Sequence, residues 1–158
     1  MMRLRRMLAG ACGLMALAVC GTACGSPADK LQPIATSAVR EKASGALGEL
    51  RGATPRTPES IERAVTNVLL KWNTGGATVL LEKDVPVTGR FSARFAFLAL
   101  VGDGFVGQYV QYAVRLCVSY SGEVGRIGSV EMADLTCPPG LPDPSDSVPV
   151  DREVKLTG

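Results

Sequence analysis

The chain contains no histidine and few aromatic residues, four Phe, three Tyr and one Trp among 158 positions. Without an imidazole there is no Ser-His-Asp triad. A zinc site would have to be built from thiolates alone, and the cysteines are too scattered for that. No pair of acids stands out in their place. Glu131 and Asp134 are an odd number of residues apart, so on a regular strand they point to opposite faces and make a poor acid/base pair. Asp143, Asp146 and Asp151 lack the alternating ligand spacing and closing Glu of a calcium loop. No catalytic residue, cofactor or metal is expected.

A dominant charge is also missing. The chain has 17 Lys+Arg and 15 Asp+Glu, and three of the arginines (Arg3, Arg5 and Arg6) precede Cys24, where there is no acid. The remainder carries 14 − 15, a formal charge of −1. With no positive field left, nucleic acid is not an expected partner. A long run of large aliphatic residues is lacking too. The uncharged stretch from Met7 to Pro27 is near the roughly 20 residues that span hydrocarbon. Its centre, however, holds Gly10, Gly13 and several alanines, and it ends in Gly, Thr, Ser and Pro. A discarded export signal is therefore expected rather than a membrane anchor.

What is present begins with that signal. A basic start at Arg3, Arg5 and Arg6, an apolar core from Met7 to Val19, and small residues before a cysteine describe a secretory leader. The stretch Gly21-Thr22-Ala23-Cys24-Gly25-Ser26 resembles a bacterial lipobox. The resemblance implies cleavage before Cys24, whose sulfur would carry a diacylglycerol. Ala23 and Thr22 fit the pattern, whereas Gly21 replaces the usual larger aliphatic residue. Cys20 competes, with Leu17 and Ala18 well placed but branched Val19 at the cut. Two acyl chains anchor a protein stably where one does not. Arg5-Arg6-Met7-Leu8 resembles, over a short match, a twin-arginine export signal. With 12 arginines and five lysines, the Ala/Gly/Arg/Val-rich composition resembles that of actinobacterial proteins.

Cys12 and Cys20 would leave with the leader and Cys24 would take the lipid. Cys117 and Cys137 then remain as an even pair in an oxidising compartment, expected as a disulfide.

Residues 1–23 are thus read as signal peptide, 24–35 as a lipidated tether, 36–137 as the folded domain and 138–158 as a Pro-rich tail. Val39, Ala43, Ala46, Leu47 and Leu50 share one helical face over 36–51, although Gly45 and Gly48 weaken that helix. A second helix starts at Thr57-Pro58 and carries Ile61, Ala64, Val65, Val68, Leu69 and Trp72 as a core-facing stripe. Alternating or apolar runs at 77–83, 91–101, 108–120 and 127–136 read as strands. Gly102-Asp103-Gly104 and Ser121-Gly122 read as hairpin turns between or after them. Short links favour an antiparallel order. The expected fold class is α+β, two N-terminal helices packed on a four-stranded antiparallel meander. This order resembles cystatin-like and nuclear-transport-factor-like (NTF2-like) folds, a likeness of fold alone.

Gly102-Asp103-Gly104-Phe105-Val106-Gly107 spells GxGxxG. A dinucleotide site needs a helix to follow it, and Val110, Val114 and Val118 favour a strand there. The tail is read as mobile, with Val148-Pro149-Val150 or Val154-Lys155-Leu156 available to a sheet edge. Trp72, Tyr109, Tyr112 and Tyr120 are read as ordinary packing rather than as a cavity lining.

The expected function is a membrane-anchored extracytoplasmic lipoprotein that binds an envelope protein or a small ligand on the outer face of the cell membrane. The rival readings are a histidine-free, carboxylate-based hydrolase of the envelope and a purely structural or inhibitory surface protein.

Overall fold

In the computed structural model the described residues are 26–54, 56–73, 77–105, 108–126, 128–143 and 148–157. Helix α1, Pro27–Gly52, begins nine residues before the expected start at 36, inside the segment read as a tether. The reason lies in its first turn. Ser26 Oγ accepts from the Asp29 amide at 3.3 Å while the Ser26 amide donates to Asp29 Oδ2 at 2.7 Å, a reciprocal cap that satisfies two otherwise orphaned donors. Pro27 sits where its missing N–H is not needed. Pro33 does remove one intrahelical bond. Leu31, Ala35, Val39, Ala43, Ala46 and Leu50 nevertheless form a continuous buried stripe that holds the helix on the sheet.

Helix α2, Pro58–Trp72, follows its expected bounds and has its own reciprocal cap between Thr57 and Ser60. The Glu59 carboxylate is held below its usual 4.5 by its own backbone N–H and by Thr57. Trp72 lies over Gly45 of α1, where a Cβ would come within 2.5 Å of the indole ring. The glycine that weakens α1 locally is thus what lets the two helices approach.

The sheet is antiparallel in the order β1 (Thr78–Asp84), β2 (Arg90–Phe105), β3 (Gln108–Glu123), β4 (Glu131–Asp134). The α+β arrangement, helices first and sheet after, is as the sequence led one to expect. Register runs without a break from Arg90↔Glu123 to Phe105↔Gln108. Gly102, Gly104 and Gly122 are therefore strand residues, not turns as expected. Aromatic rings explain why strands tolerate them, with Tyr109 lying over Gly102 and Gly104 and Phe91 over Gly122.

One face of the sheet carries Phe91, Phe95, Phe97, Val114, Leu116, Val118 and Tyr120 against the helices. Tyr120 donates its hydroxyl to the Ala43 carbonyl at 2.8 Å, and burial raises its pKa far above the ordinary 10. Arg56, 4% exposed, is a second buried polar anchor. Its guanidinium donates to the last-turn carbonyls of α1 at Leu50 and Arg51 and to Arg126 O and Ser129 Oγ. A cation at the negative end of a helix is well placed.

The C-terminal residues are not the loose tail expected. After β4 the chain crosses the outer face of the sheet. Cys137 is joined there to Cys117 by a disulfide with a Cα separation of 5.3 Å. Buried Arg115 donates to the Pro142 carbonyl at 2.5 Å. The chain then returns to the edge of β3, where β5 (Arg152–Val154) pairs in parallel with Val114–Leu116. Asp151 fixes the return, accepting from the Ala113 amide at 2.6 Å and donating its own N–H to Ala113 O at 3.0 Å. Proline-rich composition suggests disorder, but long-range anchors override it here.

Candidate functional site

Gln32, Thr36 and Arg40 recur every four residues on α1, beside the buried stripe of Leu31, Ala35 and Val39. This polar row faces β5 and the residues after it. Between them lies an open groove of about 380 Å³, lined by Gln32, Thr36, Arg40, Arg152, Glu153 and Lys155. Arg40 bridges it, donating from Nε at 3.0 Å and Nη2 at 2.8 Å to the Lys155 carbonyl. The groove runs on into a depression of about 470 Å³ beside Asp29, Pro33 and Ser37. Arg152, Lys155 and Arg40 bring three cations to a surface that also holds Glu153, together with amide and hydroxyl groups. The arrangement supplies charge and hydrogen-bond donors to a polar ligand lying along α1.

Two other surface hollows differ in their charge balance. The one between the helices holds Glu49 and Lys71, paired at 2.5 Å. The one by the β3–β4 connection holds Arg90 and Arg126, paired with Glu131 and Glu123 at 3.3 and 3.1 Å. Lys42, half-buried on α1, donates to the Leu98 carbonyl at 2.7 Å, and burial lowers its pKa from 10.5.

The residues singled out from sequence fall as follows. Cys20 and Cys24 lie outside the described residues, as does Asp146. Cys117 and Cys137 are brought together as a disulfide. Glu131 and Asp134 are kept apart: Glu131 meets Arg90, and Asp134 accepts from the Leu156 amide at 2.8 Å. Asp143 accepts from Val150 N–H at 3.3 Å, so both it and Asp151 serve the backbone of the C-terminal excursion. The aromatic set does not converge. Tyr120 packs edge-on to Phe95, Trp72 lies between the helices, and Tyr109 is exposed. Among the described residues no cluster of three His, Cys, Asp or Glu is placed to hold a metal ion. None of the described helices is long and apolar enough to cross a membrane.

Sequence reasoning missed Arg40, Arg152 and Lys155. The four-residue spacing of Gln32, Thr36 and Arg40 was the available signal, hidden by the assignment of 24–35 to a tether. Comparison with protein-family models, curated proteins and solved structures gives no match.

Proposed function

We propose that the chain is a lipoprotein tethered through Cys24 to the outer face of the cytoplasmic membrane, and that it acts there as a binding module of the cell envelope. The observation that carries this reading is the distribution of cysteines. The two in the folded body form a disulfide, while the other three, Cys12, Cys20 and Cys24, all precede the first helix, within the uncharged stretch that begins at Met7. A structural disulfide suits an oxidising compartment outside the cytoplasm, and the leader with its lipobox supplies the route to it. The groove between α1 and β5 offers the binding surface, suited by its three cations to an acidic segment of an envelope protein or to a small anionic ligand.

The anchor is tested by Cys24→Ala, which should shed the domain into the medium. Retention of that variant on the membrane, with shedding of Cys20→Ala instead, identifies the other cysteine as the lipid carrier. The binding role is tested by crosslinking in intact membranes. Arg152→Glu with Lys155→Glu should abolish a partner captured by the wild-type lipoprotein; capture that is indifferent to both charges removes the groove from the account.

A further inference from the structure

On its β1 side the β2–β3 ribbon extends past the described residues of the neighbouring strand. β1 ends opposite Phe97, and the last backbone bond on that side joins Leu98 N–H to Ala77 O at 2.7 Å. Among the described residues no strand other than β3 pairs with β2 beyond that point. Leu100, Gly102 and Gly104 share the outer face of the ribbon with their partners Ala113, Gln111 and Tyr109. Tyr109, 69% exposed, lies over the two glycines, and Leu100, 44% exposed, is next along the same face. An aromatic and an aliphatic side chain thus stand in solvent on a glycine-floored strip.

The direction of α1 places this strip relative to the N-terminus. Arg40 meets Lys155, next to Val154, which pairs with Leu116. Arg51 meets Val130, next to Glu131, which pairs with Ser121. α1 therefore runs alongside β3 in the same direction. Pro27 is thirteen residues before Arg40, about 20 Å back along the helix. Tyr109 is seven residues before Leu116, about 23 Å back along the strand. The start of α1, on one face of the sheet, and the ring of Tyr109, on the other, thus reach the same end of the molecule at nearly the same level along the strands.

Only two residues, Gly25 and Ser26, separate Cys24 from Pro27, three chain steps with a reach of at most about 11 Å. The polar layer on each side of a bilayer is about 5–7 Å deep. A lipid on Cys24 therefore holds that end of the domain at the headgroups. We infer that the outer face of the β2–β3 ribbon, with Tyr109 at its centre and Leu100 beside it, is a membrane-contacting surface that docks on the lipid headgroup layer. The inference rests on the lipoprotein reading above. A tyrosine ring with an apolar body and a polar tip suits that layer. Among the described residues the edge of β2 has no partner beyond Ala77, and open strand edges do not occur in the hydrocarbon, so the ribbon stays at the headgroups.

The test uses the full lipoprotein, purified from membranes and reconstituted in phosphatidylcholine/phosphatidylglycerol vesicles that carry a nitroxide on the headgroup. Wild type has a single tryptophan, Trp72, whose ring lies over Gly45 on the helix side of the sheet. Tyr109→Trp and, separately, Leu100→Trp each add one at the strip. The added emission should be lost in nitroxide vesicles and kept in unlabelled ones, while Trp72 emission is unchanged by the label. If the protein floats with the vesicles but both added tryptophans keep their emission, the docking surface is wrong and the anchor stands. If wild type fails to float, behaving as Cys24→Ser does, the anchor reading fails and the docking surface falls with it.

Discussion

Gly45 and Gly48 look alike in the sequence, each an apparent weakness in the same helix. In the fold they are opposites. A Cβ at Gly45 would meet Trp72, whereas one at Gly48 meets nothing within 4 Å. Gly48→Ala should therefore raise the stability of the fold by about 0.5–1 kcal/mol through helix propensity. Gly45→Ala should lower it by about 1–3 kcal/mol by forcing the indole out of place. Urea unfolding of the two variants checks both signs. Lys42 gives a pH-dependent prediction at the same scale. Burial lowers its folded-state pKa from 10.5, so between that lowered value and 10.5 the unfolded chain binds more protons. Stability should rise with pH across that alkaline window, and Lys42→Met should flatten the rise. Arg56 was not legible beforehand. An arginine in a Pro-flanked linker reads as solvated, and only the closure of the β3–β4 connection over it shows a guanidinium capping α1.

Among the elements, α2 and β1 to β3 were legible because periodicity and capping agree with their tertiary surroundings. The first nine residues of α1 were not, since two prolines and a short polar run resemble a tether until the Ser26–Asp29 cap is seen. In the sequence the two long strands read as stopping at glycines, because the aromatic covers of those glycines come from the neighbouring strand, a pairing that local sequence does not display. The C-terminal excursion was misjudged for the same reason, because its order comes from Cys117, Arg115, Ala113 and Arg40, all far away in the chain. That dependence is testable. Replacing Cys117 and Cys137 together by serine opens a crosslink between positions 20 apart and should cost about 3 kcal/mol by the loop-entropy estimate. Amide exchange should then quicken first in β5 and at Ala113, while α2 stays protected. Uniform loss of protection would mean that the crosslink holds the whole fold rather than the excursion.

Across the whole molecule, the cysteines divide the chain into two chemistries. The body keeps its pair as a disulfide where the chain crosses the sheet, and Cys24, the cysteine proposed to carry the lipid, precedes the first helix by three residues. Both the proposed binding role of the groove along α1 and the proposed docking of the ribbon strip depend on that short connection. The most direct measurement is the mass of the N-terminal peptide of the protein extracted from its own membranes. The account predicts a chain beginning at Cys24 and carrying a diacylglyceryl group on sulfur. A peptide that begins at Met1, or a Cys24 with an unmodified thiol, would contradict it.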